Sequence, residues 1–225
     1  MRYQPIENHG IIGNMHSAAL VSLDGSVDWL CLPRFDSPSV FGAILDAEKG
    51  GWFRIAPAAA GALRHKQFYW PDTNVLITRF LHPDGIAEVE DYMPVGPGAG
   101  PDAQLVRRVR VVRGRLPLEV ECRPAFDYAR APHTTTVREH GARFDGPGLS
   151  LGLAASVPLR PAGDRAVAAF PLDEGQSATF VLRTIAPDAH PGRCPGTEAA
   201  NPRDRPGPSK RAPQSFTVVA CRTRA

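Results

Sequence analysis

Residues 118–123 read LEVECR, with Leu118, Val120 and Cys122 alternating with Glu119, Glu121 and Arg123. A period of two predicts a strand with one face buried and one wet. Just upstream, QLVRRVRVV (residues 104–112) is rich in valine, and Gly114, Arg115 and Pro117 interrupt the run. The two segments therefore read as a hairpin. A second hairpin is written in NVLITRFLH and IAEVEDYM, joined by Pro83, Asp84 and Gly85, residues that suit a tight turn. Apolar runs at 17–23 and 27–32, separated by Asp24-Gly25-Ser26, predict another strand pair. Later strands are predicted at 134–139, 149–155 and 178–185.

One helix start is visible. Ser37 followed by Pro38 fits an N-cap with proline in the first turn. Val40, Phe41, Ile44 and Leu45 then recur at helical spacing until Gly50-Gly51. The sum is an all-β, antiparallel sandwich of many short strands with one short helix. After residue 185 the pattern stops. Residues 186–213 hold seven prolines and no Val, Ile, Leu, Phe, Tyr or Trp. Such a segment buries too little to offset its ordering entropy, so disorder is expected. The chain thus divides into a β domain, residues 1–185, and a Pro/Gly/Arg-rich tail, residues 186–225. Only SFTVVAC, late in the tail, could add a strand.

Composition narrows the function classes. A hydrophobic fraction of 43% supports a real core. The net charge of +3, without a basic stripe carrying aromatics, argues against nucleic acid. No apolar run reaches the length of a membrane span and no leader pattern opens the chain, so a cytoplasmic location is expected. Cys31, Cys122, Cys194 and Cys221 form no closely spaced pair. Neither a metal site nor a disulfide framework is expected, and no cofactor. Cys31 and Cys122, set in apolar runs, read as buried thiols.

The densest stretch is DGSVDWLCLPRFDSPSVF, residues 24–41. Asp24 reads as a turn former, Asp28 as a strand-end cap, and Asp36 as support for the turn before the helix. Trp29 reads as a core or interface aromatic. The same stretch also places Trp29, Arg34, Phe35 and Asp36 around one loop. Aromatic faces with Asp and Arg are the groups that hold sugar hydroxyls. Glycoside hydrolysis needs two positioned carboxyls as well, and sequence does not pair Asp28 with Asp36 across anything.

In order and in uncommon residues, segments 7–45 and 50–57, with FYWPDTNVLITRF and EVEDYMPV, resemble the amino-terminal domain of bacterial glycoside hydrolase family 15 proteins, the glucoamylase-like and trehalase-like enzymes. The resemblance runs from about residue 3 to 185. It implies a β-supersandwich that precedes a catalytic toroid of paired α-helices. The two catalytic glutamates of that inverting family belong to the toroid, so no catalytic residue is carried over. The implied partner is the toroid, and the implied ligand an α-glucoside such as trehalose or a maltooligosaccharide. Trp29, Arg34, Phe35 and Asp36 become the expected rim of a sugar pocket or an interdomain contact. The chain is expected to be inactive alone, with its tail a truncated or frameshifted end. Alternatives from other classes are a carbohydrate-binding module using Trp29, Tyr69 or Trp70, and an inactive remnant.

Three further groups carry structural expectations. His9 and His16 lack a third ligand. Glu88 and Glu90 share a strand face and read as a solvated edge. Arg107, Arg108 and Arg110 read as a solvated charged face, with phosphate recognition as the minor option.

Overall fold

A computed structural model describes residues 3–58, 62–95 and 104–187, together with 189, 191 and 194. After a single 3-10 turn, Ile6–Asn8, the chain runs through β1 (His9–Gly13), β2 (Ala18–Ser22), β3 (Ser26–Cys31), β4 (Ser39–Phe41) and β5 (Trp52–Pro57). β6 (Arg64–Tyr69), β7 (Leu76–His82) and β8 (Gly85–Tyr92) follow, then a 20-residue β9 (Gln104–Arg123). A short helical turn α1 (Phe126–Ala129) leads to β10 (Thr134–Arg138), β11 (Gly141–Gly146), β12 (Leu149–Ala155), β13 (Arg160–Ala162), β14 (Arg165–Asp173) and β15 (Ser177–Ile185).

All pairings are antiparallel, and they form two sheets that share β9. One sheet runs β1-β2-β3-β5-β9-β14-β13, with β4 beside β3. The other runs β6-β7-β8-β9-β15-β12-β11-β10. The first half of β9 pairs with β8 and β15, the second with β5 and β14. The layers meet through rings such as Phe53 and Phe180, edge to face at 6.3 Å. One continuous apolar core fills the space between.

The all-β reading with one short helix holds, but two local expectations change. Residues 104–123 are one strand, not a hairpin. Gly114 takes a φ of 74°, and a bulge opposite Ile86 and Ala87 bends the strand there without ending it. The predicted helix at 37–50 is instead β4 followed by turns. Val40 and Phe41 are buried as strand residues against β3, and edge pairing outweighs a helix too short to sustain itself. The helical turn is α1, and Asp127, Tyr128 and Ala129 in it have left-handed φ of 51°, 57° and 62°.

Two further expectations change. Arg107 is fully buried. It shares parity with Leu105, Val109 and Val111, so it points into the core with them. Its Nε and Nη2 donate to the Asp91 carboxylate at 2.8 and 3.1 Å, while other guanidinium N–H groups reach the carbonyls of Phe53 and Gly25. Glu88 and Glu90 are buried, not a solvated edge. The Glu88 carboxylate accepts from Arg79 at 2.8 Å, and Glu90 stands opposite Arg108 in the ladder.

β6 does not pair as a strand with the β1–β2 hairpin that its side chains reach. Side chains on β6 stitch the gap instead. His65 Nδ1 donates to Leu23 O at 2.7 Å, Gln67 Nε2 to Val21 O at 3.1 Å, and the Tyr69 hydroxyl bonds both N–H and C=O of Ile11. Alternate residues of a strand share a face, so one run of three serves the whole seam. Most of the expectation for 186–225 lies outside the described residues. Within them, Arg143 Nη1 donates to Ala189 O at 3.0 Å and Arg183 Nη2 to Pro191 O at 2.7 Å.

Candidate functional site

The Asp24-Gly25-Ser26 turn forms as its residues suggest. Asp24 Oδ1 accepts from the Ser26 N–H at 3.1 Å, and Gly25 takes a φ of 84°. A Cβ at Gly25 would meet the Ile55 carbonyl, so the turn needs glycine. Beyond it, Leu20 pairs with Trp29 but Val21 with Val27, which leaves Asp28 as the extra residue of a β-bulge. Asp28 therefore does not cap a strand end. The bulge turns its carboxyl into the protein, where Oδ2 lies 3.0 Å from His9 Nε2. Both side chains are almost wholly buried. Burial pushes the Asp28 carboxyl up to about 6, against the opposing hydrogen bond from His9. Its Oδ1 has no hydrogen-bond partner among the described residues.

The loop at 33–37 follows β3. Its backbone is fastened on several sides. Ser37 Oγ accepts from the Arg34 N–H at 3.1 Å, and the Ser37 N–H returns to Arg34 O at 3.1 Å. The Phe35 N–H donates to His16 O at 2.9 Å, which ties this loop to the turn between β1 and β2. That turn is itself held by Asn14 Oδ1, which accepts from His16 and Ser17, and by the Ser17 hydroxyl on Cys31 O. The side chains do the opposite of the backbone and point outward. Arg34 and Asp36 form an ion pair at 3.2 Å with side chains 74% and 76% exposed. Phe35 is 58% exposed, and Met15 on the adjoining turn is 85% exposed. Asp36 thus pairs with Arg34 and supports no helix.

Trp29 is half-buried and packs against Tyr128 of α1, ring centroids 6.1 Å apart. The Arg130 guanidinium covers the Tyr128 ring at 5.3 Å and bonds Asp127 at 2.8 Å. Three successive non-glycine residues in the left-handed region are held against their preference. Between α1 and the loop lies a cleft of about 430 Å³, lined by Pro33, Pro38, Val40, Phe126, Asp127 and Leu149 among others. The structure therefore brings Arg34, Phe35 and Asp36 together on one exposed loop. It places Trp29 on the neighbouring strand with Tyr128, a partner that sequence reading missed. Composition gives no signal for α1, because no glycine marks its positive φ.

Among the described residues, Asp127 is the one carboxyl that lines this cleft, whereas glycoside hydrolysis requires two. Asp36 is engaged by Arg34 and Asp127 by Arg130. Among the described residues no group of three His, Cys, Asp or Glu side chains gathers to hold a metal, and no helix is long and apolar enough to cross a membrane. Cys31 and Cys122 are buried and free, as read from the sequence, and burial raises both thiols. Tyr69, a candidate sugar platform, spends its hydroxyl on Ile11.

Residues 1–158 match the family model described as trehalase-like, N-terminal. The chain is 35% identical over 167 residues to a trehalase of Thermoplasma volcanium, covering 72% of this chain and 26% of that protein. It is 36% identical over 148 residues to a trehalase of Mycolicibacterium smegmatis, 59% of this chain and 22% of that one. With trehalase 1 of Sulfolobus acidocaldarius the figures are 35% over 179 residues, 74% and 30%. The chain spans less than a third of the length of these curated relatives.

Proposed function

The chain belongs to the trehalase-like N-terminal family, and from that premise we propose that it is the non-catalytic amino-terminal domain of an α-glucoside hydrolase. Its role is to pack on a catalytic helical toroid and shape the rim of the sugar pocket through residues 33–37. The observation that carries this reading is the contrast within the loop. Its backbone is fixed to the turn before β2, while Arg34, Phe35 and Asp36 project outward with Met15 beside them. A rigid mount that presents an aromatic, an aliphatic and a charged pair suits a protein interface, where aromatic and arginine anchors carry much of the energy. A lone surface loop has no such need to be clasped.

Mixing the purified chain with a separately produced carboxy-terminal portion of a homologous trehalase tests the proposal. The expected result is a stable complex in size-exclusion chromatography, weakened at least tenfold by Phe35→Ala. The chain alone is expected to release no glucose from trehalose, maltose or starch. Turnover that survives repurification, or a complex indifferent to every substitution in residues 33–37, would overturn the reading.

A further inference from the structure

The His9–Asp28 contact has a proton requirement that follows from its partners. His9 Nδ1 lies 3.0 Å from the Pro5 carbonyl oxygen, which can only accept, so Nδ1 carries a hydrogen. The other ring nitrogen lies 3.0 Å from Asp28 Oδ2. Two acceptors cannot face each other there, so a second hydrogen sits between Nε2 and Oδ2. Whether it rests on the imidazole or the carboxyl, the pair as a unit is neutral and holds one shared proton.

We propose that this shared proton makes the His9–Asp28 pair a pH-dependent latch that holds β1 against the bulge of β3 and, through the turn before β2, steadies the loop at 33–37. The route is continuous in the structure. His9 opens β1, β1 leads into the turn carrying His16, and His16 O receives the Phe35 N–H. Without the shared proton, a buried carboxylate oxygen faces the imidazole lone pair, and Oδ1 has no hydrogen-bond partner among the described residues, the nearby Ser22 hydroxyl being donated to Asp24. The surrounding charge adds to the effect. Asp24, held through Ser22, disfavours an ionised Asp28. Glu7, His65 and Lys66 line the open cleft of about 660 Å³ that His9 also borders, and solvent there screens them. The elevated carboxyl pKa of Asp28, about 6, agrees with this direction.

The proposal bears on the docking edge of the preceding section, but its test uses the chain alone and does not require any partner to dock. Thermal melting is followed from pH 5 to pH 8.5, with amide hydrogen exchange across β1 and nitrogen NMR of the His9 ring. The wild type is expected to lose several degrees of melting temperature over that range, and its β1 amides to exchange at least tenfold faster once corrected for intrinsic rates. Asp28→Asn keeps the shape and supplies a permanent N–H to Nε2, so it is expected to flatten both profiles. Parallel declines in wild type and variant would overturn the latch. Should Asp28→Asn fail to fold, the wild type decides alone. β1 protection that falls as the His9 Nε2 hydrogen is lost supports the proposal, and protection indifferent to that loss overturns it.

Discussion

Two buried acid–base pairs lie in one sandwich and behave differently. Arg107 and Asp91 are wholly enclosed, and the guanidinium uses its fork on both carboxylate oxygens and on the carbonyls of Phe53 and Gly25. Its ring-facing side covers Phe53 at 4.9 Å. His9 and Asp28 are nearly as buried, yet one carboxylate oxygen has no partner among the described residues. A guanidinium never gives up its proton in a protein, whereas burial lifts the Asp28 carboxyl to about 6, within reach of ordinary pH. The first pair is therefore a permanent staple between the two sheets, and the second holds only while a proton is present. Satisfaction of every polar atom separates them more than depth does.

The sharpest way to break the contrast is Arg107→Ala. It leaves the Asp91 carboxylate and two carbonyls without their donor in the core, and loss of one partner of a buried pair costs about 3–5 kcal/mol. Urea denaturation should show a much lower midpoint or no folded baseline. Substituting both residues with apolar ones should cost less than the single change, because no charge is then stranded. A smaller effect is expected from His9→Ala at pH 6, about 1–3 kcal/mol for a hydrogen bond lost to a buried group, read by the same denaturation.

The pH response of that site has a definite sign. The folded Asp28 carboxyl sits near 6, above its unfolded value of 3.8. Its contribution is fully present below 3.8 and is lost as pH rises through about 6. The smallest effect belongs to the exposed pair. Arg34→Ala should change stability by about 0.5 kcal/mol or less, since Arg34 and Asp36 stand in water. It should matter instead to the proposed complex with a helical domain. A large loss of stability at Arg34 would mean that the loop holds the fold together.

Much of this fold is written locally, and the exceptions share a cause. The β7–β8 hairpin follows from Pro83 and Asp84 between alternating runs, and His82 does pair with Gly85. By contrast, Gly114 and Pro117 look like breaks because each is a poor strand residue by itself. In the structure β9 continues through them, since neighbours from both sheets hold it on either side. Arg107 was legible through its parity with Val109 and Val111, but charge outweighed position in the reading. Residues 37–50 show the reverse, for the helical spacing of Val40, Phe41, Ile44 and Leu45 counts for little beside the edge strand β4. At the site, the loop residues 33–37 were legible because turn and aromatic residues crowd there. Tyr128 was not, because nothing in 127–129 announces a left-handed backbone. Asp28 was seen, but its direction depends on a bulge that only the register with Leu20 and Val21 reveals.

The sharing of β9 has a consequence for how the chain reaches its shape. Each sheet draws on its own half of one continuous strand, so the two layers are tied through the middle of β9. The ladder joins segments as distant as Phe53 to Cys122 and Ala178 to Val109, and closing such loops precedes the reward of pairing. Folding should be slow and all-or-none, with the strand as its meeting point. A chain cut between the halves of β9 would sever the strand that the two layers share.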